Sequence, residues 1–188
     1  LISLRRVHSS MLNIKDGIWS QERGLQLMNK TIGILGFGNI GSLLAELLGP
    51  YKCRILGFDV QKIDKKEVTQ CSIEEIFSDA DIVSIHLPLT DSSKGLINKK
   101  LLEISKKDLK LVNTSRGGIV NEEHLYNYRI NNERAFAAFD VFEVEPAFNS
   151  PLLDLKNFFA TSHLGGMTEE GVIAMGLAAI EGLDENSK

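Results

Sequence analysis

The chain has 188 residues, which is enough for one domain of ordinary size with a short appendage. Hydrophobic residues make up 43% and charged residues 24%, proportions typical of a globular protein with a proper core. The net charge of −4 gives no electrostatic reason to expect a nucleic acid or an anionic membrane as partner. No apolar run reaches the roughly 18 residues that span a bilayer. The two cysteines are too few for a disulfide framework and have no metal-ligand spacing, so we predict no metal site and a reduced, cytoplasmic setting.

Short apolar runs alternate with helical segments along most of the chain. Such runs suit strands that are buried on both faces, and their alternation with helices indicates βαβ units. We therefore predict an α/β fold, a doubly wound parallel sheet. The predicted strands are Thr31–Leu35, Arg54–Phe58, Ile82–Leu87, Leu109–Asn113, Ala135–Val141 and Phe158–Thr161, with a short further strand near Val68. The predicted helices are Leu1 to about Ser10, Ile40–Leu48, Ser72–Phe77, Lys99–Ile104, Glu122–Asn131 and Thr168–Leu183, with a polar turn at Lys15–Trp19.

The first of the buried strands runs directly into a glycine-rich loop, Gly36-Phe37-Gly38-Asn39-Ile40-Gly41, after which a helix begins. In such a loop the glycines allow a tight turn, close approach of backbone N–H groups to a pyrophosphate, and close packing of helix on strand. The motif alone is a weak signal, but here a strand and a helix flank it as dinucleotide binding requires. Asp59 ends the next strand, where a carboxylate would bind the ribose 2′-OH and repel a 2′-phosphate. We therefore predict NAD as the cofactor; the nearby Lys62 leaves strict exclusion of NADP open.

Four further segments lie at or just past the ends of later predicted strands: His86-Leu87-Pro88-Leu89-Thr90, Asn113-Thr114-Ser115-Arg116-Gly117-Gly118, Asp140-Val141-Phe142-Glu143-Val144-Glu145-Pro146 and Ser162-His163-Leu164-Gly165-Gly166. They resemble motifs of the D-2-hydroxyacid dehydrogenase family, which includes phosphoglycerate, glycerate, D-lactate and formate dehydrogenases. The resemblance runs from the Gly17-Ile18-Trp19 turn to the last helix and implies the NAD-binding Rossmann domain of a two-domain enzyme.

The resemblance implies a catalytic trio of Arg116, Glu145 and His163. His163 would act as the acid, because imidazole titrates near working pH. Glu145 would hold the ring in one tautomer and stabilise the imidazolium. Arg116 would clamp the substrate carboxylate and polarise its carbonyl. Taken singly, each is more often an ordinary loop, surface or ion-pair residue; what favours the catalytic interpretation is their position at or past the carboxyl ends of predicted strands.

The resemblance also implies a set of residues around the cofactor. Asp140 matches a residue near the nicotinamide carboxamide, His86 has a structural or cofactor-contact role, and His124 is expected to be solvated. The family usually has a proline where Ser162 stands, a difference that would loosen the loop carrying His163. The predicted cofactor-binding residues are Gly36, Gly38, Asn39, Ile40, Gly41, Asp59, His86, Pro88, Thr90, Thr114, Ser115, Arg116, Asp140, His163 and Gly165.

The family pattern also suggests how the chain is divided. Residues 1–27 are expected to form an interdomain helix and linker, 28–165 the NAD-binding domain, and 166–188 a helix returning toward a substrate domain. The N-terminal part of that substrate domain is expected to be absent, so the chain by itself would bind NAD but turn over little.

Three functions remain in competition at this point. The first is an oxidoreductase acting on a D-2-hydroxy acid or 2-oxo acid. The second is an NAD(H)-sensing binding protein, like the corepressors that share this fold, although no basic patch suggests a chromatin partner. The third is a dehydrogenase of the formate or phosphite type. The resemblance further implies a homodimer built on the cofactor domain.

Overall fold

In the computed structural model, which describes residues 1–186, seven strands form one fully parallel sheet. Their order is β3-β2-β1-β4-β5-β6-β7. The chain therefore adds β2 and β3 on one side of β1 and then adds β4 to β7 on the other side. The predicted doubly wound sheet is confirmed, including the short strand at Val68. The strands are β1 (Thr31–Leu35), β2 (Arg54–Phe58), β3 (Val68–Gln70), β4 (Ile82–Ile85), β5 (Lys110–Asn113), β6 (Phe136–Phe139) and β7 (Phe158–Ala160).

Helices connect the strands, and side-chain caps fix where several of them begin. Ser72 and Glu75 form a capping box, and Asn98 and Asn121 accept hydrogen bonds from the first turns of their helices. Ser72 was predicted to be helical and is instead the cap residue. Among residues 1–186, no helix is long and apolar enough to cross a membrane. The helices are α1 (Val7–Lys15), α2 (Asn39–Leu48), α3 (Ile73–Asp79), α4 (Lys99–Ile104), α5 (Glu122–Ile130) and α6 (Glu169–Asn186), with short 3₁₀ turns at Gly49–Tyr51 and Pro151–Asp154.

The prediction for the first helix is wrong in its placement. Residues 2–6 form turns, and the helix runs from Val7 to Lys15, a residue that was assigned to the following turn. Arg6 lies in the left-handed region with φ of 52°, a conformation that a right-handed helix cannot continue through. At the other end of the chain, α6 begins one residue later and extends further than predicted, and residues 187–188 lie outside the described part.

Several predicted strands are too long by one or two residues. Leu109, Ala135 and Val141 are each only 1% exposed, yet they lie just outside the paired strands. Leu87 and Thr161 likewise follow their strands and do not belong to them. An apolar run indicates that residues are buried, not that they pair in a sheet. In this chain buried residues extend beyond the paired strands into the adjoining loops, so the predicted strands are too long.

The core lies on both faces of the sheet because alternate strand residues point to opposite sides. Ile32 and Ile34 pack with α2 and with β2 in one cluster. Leu35, Val83 and Ile85 belong to the larger cluster, which includes side chains of α3, α4 and α5. Each such fully buried side chain contributes about 1.5–3 kcal/mol of hydrophobic stabilisation. The helices thus fix the sheet from both sides and leave its carboxyl edge to the loops.

Asp81 joins three strands at the amino edge of the sheet. Its Oδ2 accepts a hydrogen bond from the Thr31 amide at 2.9 Å, and its Oδ1 accepts one from Lys106 Nζ at 2.7 Å. Its backbone pairs with Thr31 and with Lys110 on either side. Burial alone would raise the pKa of Asp81, but the hydrogen bonds from Lys106 and Thr31 outweigh burial and lower it. The ionised carboxylate therefore stabilises the folded state.

We expect Asp81→Asn to lower the free energy of unfolding by about 1 kcal/mol at pH 7, since both ion-pair partners keep some solvent access. Because the folded-state pKa is lowered, this contribution is complete above the ordinary carboxyl pKa of about 4 and disappears as the pH falls through the folded value. Urea unfolding at pH 7 and about pH 3 measures the difference, with the exposed loop variant Asp91→Asn as control. An equal effect of Asp81→Asn at both pH values would contradict the assignment.

Candidate active site

The glycine loop after β1 has the geometry of a phosphate-binding turn. Gly36 has φ of 94°, and a Cβ there would lie 2.7 Å from the carbonyl oxygen of His86. A side chain at Gly41 would overlap the carbonyl oxygen of Gly36, so α2 begins in direct backbone contact with the turn. A Cβ at Gly38 would meet nothing within 4 Å, and no side chain caps α2. The loop therefore presents uncapped helix amides to open space, the arrangement that favours an anion.

Asp59 follows β2 and lies against this loop. Its Oδ2 accepts a hydrogen bond from the Phe37 amide at 2.7 Å, and its Oδ1 accepts one from the Gln61 amide at 2.9 Å. Each oxygen keeps a further acceptor position. Asp59 also lines a cavity of about 310 Å³ shared with the glycine loop. A ribose with two hydroxyl groups fits this carboxylate; Lys62 lines the same cavity and makes no ion pair within residues 1–186.

Glu145 and His163 form a hydrogen-bonded pair beyond β6 and β7. His163 Nδ1 lies 3.0 Å from Glu145 Oε2, and Glu145 Oε1 accepts a hydrogen bond from the Phe142 amide at 3.0 Å. The Phe142 ring is itself fixed between Phe139 and Phe158, with ring centroids 6.3 and 6.1 Å apart. The hydrogen bond from His163, followed by that from the Phe142 amide, lowers the pKa of Glu145. An ionised Glu145 orients the ring so that Nδ1 carries a proton and Nε2 is available for proton transfer.

Asp140 holds the loop that carries His163. Its Oδ1 accepts hydrogen bonds from the Leu164 amide at 2.7 Å and from the Thr161 hydroxyl, and its Oδ2 accepts one from the Gly165 amide at 2.7 Å. Burial would raise the pKa of Asp140, but these hydrogen bonds outweigh burial and lower it. His163 itself has φ of 59°, an uncommon conformation for a residue with a side chain. The three hydrogen bonds therefore maintain this left-handed turn, in which His163 Nδ1 reaches Glu145.

Asn113, at the end of β5, organises the loop that carries Arg116. Its side chain accepts a hydrogen bond from the Ser115 amide at 3.1 Å and donates one to the Arg116 carbonyl at 3.0 Å. Its own carbonyl accepts from the Asp140 amide at 2.9 Å. The side chain of Asn113 therefore fixes the Arg116 loop, while its backbone carbonyl joins β5 to Asp140, the residue that holds the His163 loop.

The Arg116 loop also packs on the loop that contains Glu145. A side chain at Gly117 would overlap the Phe142 carbonyl oxygen, so the two backbones are in direct contact. The exposed Arg116 guanidinium donates to the Ser115 carbonyl at 2.6 Å and shares no hydrogen bond or ion pair with Glu145 or His163 within residues 1–186. Its remaining donors are free to bind a carboxylate.

The loop after β4 is held by its own hydroxyl groups. His86 Nε2 lies 2.9 Å from the buried Ser84 hydroxyl, and burial lowers the pKa of His86. The Ser93 hydroxyl donates to the Pro88 carbonyl at 2.6 Å and accepts from the Thr90 amide at 2.8 Å. These contacts shape the loop beside the glycine turn and favour a structural role for His86.

The predicted site residues all follow carboxyl ends of strands and so share one edge of the sheet. Direct contacts join Glu145 to His163 and Asp140 to Gly165, whereas the exposed Thr114 and Arg116 lie on a neighbouring loop. The hydroxyl of Ser115 is already used as a donor to the Leu87 carbonyl. The sequence did not indicate three residues that build the site: Ser93, Asn113 and Thr161. The spacing Thr-x-x-Ser could have indicated the turn of Ser93, and Asn113 is the first residue of the Asn113–Gly118 motif.

A cavity of about 780 Å³ opens beside the Glu145–His163 pair. Most of its wall is apolar, including Phe142, Pro146 and Leu164. A reacting group bound there would sit in surroundings of low polarity, where a charged hydrogen-bonding partner acts more strongly than in water.

The fold and this edge of the sheet define the class as a dinucleotide-binding α/β domain. Residues 1–165 match the family described as "D-isomer specific 2-hydroxyacid dehydrogenase, NAD binding domain", and the chain belongs to that family. The open glycine loop and the Asp59 carboxylate fit the NAD that this description names.

Three relatives show how far the similarity extends. A hydroxypyruvate reductase from Thermotoga maritima is 33% identical over 187 residues, covering 96% of this chain and 61% of the relative. A D-3-phosphoglycerate dehydrogenase from Bacillus subtilis is 36% identical over 173 residues, covering 89% of this chain and 33% of the relative. The structure of an NAD-dependent formate dehydrogenase from Staphylococcus aureus in complex with NAD matches with a TM-score of 0.85 and 34% identity, covering 91% of this chain and 54% of that one. The chain thus spans between a third and three fifths of the length of these relatives.

We expect Asp140→Asn to loosen the His163 loop, because an amide offers one acceptor oxygen where the carboxylate offers two. The amide protons of Leu164 and Gly165 should exchange with solvent at least about tenfold faster, as expected for loss of a charge-assisted hydrogen bond. Hydrogen exchange followed by NMR measures this. Thr161→Val removes only the hydroxyl donor and should have a smaller effect; unchanged exchange in Asp140→Asn would show that the loop is held by other contacts.

Proposed function

We propose that this chain is the coenzyme-binding and acid–base part of an NAD-dependent oxidoreductase that acts on a D-2-hydroxy acid or the corresponding 2-oxo acid. The 3.0 Å contact between Glu145 and His163, on the same sheet edge as the glycine loop, carries this proposal. The names of the relatives, among them a hydroxypyruvate reductase and a D-3-phosphoglycerate dehydrogenase, support it.

In this proposal His163 transfers the proton. When a 2-oxo acid is reduced, His163 Nε2 donates a proton to the oxo oxygen, and in the reverse direction it accepts the hydroxyl proton. The glycine loop and Asp59 would hold the dinucleotide, whose nicotinamide would supply or accept the hydride. Glu145 keeps Nδ1 protonated and stabilises the imidazolium before the proton leaves. Asp140 acts as a positioning residue, since both oxygens of its carboxylate accept hydrogen bonds from the segment that carries His163.

Arg116 is proposed to bind the substrate carboxylate. Asn113 fixes the backbone of the loop that carries Arg116, whereas the guanidinium group remains exposed. The side chain is therefore held in place where it leaves the backbone, and its N–H donors remain available to a ligand. A planar guanidinium can hold a carboxylate through two parallel hydrogen bonds, which orients the oxo carbon as well as binding it.

We expect the chain to bind NADH in preference to NADPH, because the Asp59 carboxylate accepts from ribose hydroxyls and repels a 2′-phosphate. Asp59→Asn should weaken NADH binding by about tenfold or more, the contribution of a charge-assisted hydrogen bond. It should also reduce the ratio of the affinity for NADH to the affinity for NADPH. Isothermal calorimetry with both nucleotides measures this, with Asp16→Asn, exposed beyond α1, as matched control. Equal affinity of the unaltered chain for the two nucleotides would contradict the role of Asp59, and binding of neither would contradict the proposed function.

We expect Glu145→Gln to lower kcat for 2-oxo acid reduction by about 10²-fold, the lower end of what a positioned acid–base pair contributes, with KM little changed. The assay is NADH oxidation by the protein in the length that its gene encodes. The neighbouring Glu143→Gln removes an exposed carboxylate two residues away and should leave the rate unchanged. If both variants behave alike, Glu145 does not orient His163.

Two other functions are distinguished by the same assay. The likeness to a formate dehydrogenase supports a substrate without a hydroxyl-bearing carbon, and turnover of formate in place of 2-oxo acids would favour it. A corepressor-like sensor would bind NADH and a protein partner without turnover; none of the relatives described above is named as one.

We further propose a homodimer in a reducing, cytoplasmic setting. The apolar side chains of α1 support the dimer, because Val7, Met11 and Ile14 are between 45% and 58% exposed and Trp19 beyond them is 84% exposed. Cys53 and Cys71 are both free, which fits a reducing compartment. Sedimentation equilibrium of the chain tests the dimer, and a mass of one chain at micromolar concentration would contradict it.

A further inference from the structure

A second cavity lies at the amino edge of the sheet, away from the site described above. It has a volume of about 420 Å³ and is bounded by the starts of β5 and β6, at Lys110 and Phe136, and by Asn157 just before β7. The N-terminal turn around Leu4 closes it, held by a 2.8 Å hydrogen bond from the Leu25 amide to the Leu4 carbonyl. The length of β5 alone places it about 10 Å from the carboxyl edge.

The charge of this cavity is opposite to that of the chain. Five cationic side chains line it against three acidic ones, although the chain carries a net charge of −4. One of the acids, Glu22, already forms an ion pair with Arg6 at 3.0 Å and accepts a hydrogen bond from the Asn13 side-chain Nδ2 at 3.2 Å. The other four cations have no ion-pair partner within residues 1–186: Arg23, Lys110, Arg134 and Lys156.

Lys110 is the buried member of this set, with only 6% of its surface exposed. Its Nζ donates to the Arg134 carbonyl at 3.1 Å and to the Asp108 carbonyl, and a third N–H remains. Burial lowers the pKa of Lys110. The carboxylates of Asp108 and Asp81 oppose this change, whereas Arg129 and Arg6 lower the pKa further. Among residues 1–186, the only hydrogen-bond partners of this buried ammonium are carbonyl groups, and no carboxylate forms an ion pair with it.

Arg129 adds a second buried cation behind the same wall. It is 2% exposed, and its Nη2 donates to the carbonyl of Asn157, a residue that lines the cavity. Its Nε and Nη1 are buried and have no hydrogen-bond partner among residues 1–186. Burial lowers the pKa of Arg129 to about 9. Buried charges in proteins are normally paired, because an unpaired ion loses its hydration without compensation.

We propose that this cavity binds a small oxyanion of at least two negative charges, a phosphate group either free or on a small phosphomonoester. The ligand would accept from the free donors of Arg23, Arg134 and Lys156 at the rim, and its charge would compensate the buried Lys110 and Arg129. Arginine and lysine together suit a phosphate, the one through its planar fork and the other as a point charge. Because the cavity and the catalytic loops occupy opposite edges of the sheet, this anion is not the substrate of the proposed reaction.

The test measures binding of inorganic phosphate and of glycerol 3-phosphate by calorimetry, with chloride at the same ionic strength as reference. Saturating NADH is present so that the glycine loop is not available to phosphate. The variant Arg23→Gln/Arg134→Gln changes only rim side chains and leaves the Arg134 carbonyl that holds Lys110. We expect at least about tenfold weaker binding of both probes, from the loss of charge-assisted hydrogen bonds. The probe with the higher affinity shows whether the cavity takes free phosphate or a phosphomonoester.

The matched control is Lys15→Gln/Lys52→Gln, which removes the same charge from exposed positions outside the cavity and should bind as the unaltered chain does. Equal affinity in both double variants, or a chloride effect as large as that of phosphate, would overturn the proposal. The comparison between the double variants holds even if the chain binds no NADH, so failure of the proposed function and failure of this site are separate results.

Discussion

Parallel pairing of all seven strands is the constraint on which the rest of this structure depends. Because every strand runs in the same direction, the loops that follow them meet at one edge. The order of the strands reverses between β1 and β4, and the glycine turn lies at that reversal. Gly36 is pinned there between its hydrogen bond to the Phe58 carbonyl at 2.8 Å and the backbone of His86. A side chain at this position would push apart the two strands that create the crevice.

The catalytic side of the edge depends on buried polar groups that do not themselves react. Asn113 ties the Arg116 loop to Asp140 by backbone and side chain, and Asp140 then holds the His163 loop through three hydrogen bonds. The Asp140 carboxylate accepts from the neutral Thr161 hydroxyl and from the Leu164 and Gly165 backbone amides, so its buried oxygens are hydrogen-bonded within the protein. The reacting groups, in contrast, are half exposed: the side chains of His163 and Glu145 are 50% and 39% accessible. Rigid supports and accessible reacting groups are what a site requires when it closes around its substrate.

The amino edge of the sheet has a different electrostatic character. There Asp81 and Lys106 form an ion pair, whereas Lys110 and Arg129 are buried and form no ion pair with any of residues 1–186. At the catalytic edge the buried carboxylate of Asp140 is satisfied by backbone amides, so no counter-ion is needed. Because of these unpaired cations, the amino edge offers a second place for an anion in our proposal, in addition to the glycine loop and Arg116 at the catalytic edge.

The sequence by itself determined the parallel α/β sheet, the glycine loop and Asp59, because these depend on local apolar runs and on residue types that only one backbone geometry accommodates. It also indicated Arg116, Glu145 and His163 as candidates through their place after strands. Only the tertiary structure decided that Glu145 and His163, 18 residues apart, meet beyond the ends of β6 and β7, and that Asn113, Thr161 and Asp140 join the loops. The placement of α1 and the burial of Arg129 likewise escaped prediction. A local pattern reports whether a residue tends to be buried or helical, whereas these features depend on which distant residue lies opposite, and that is fixed only when the sheet and its helices pack.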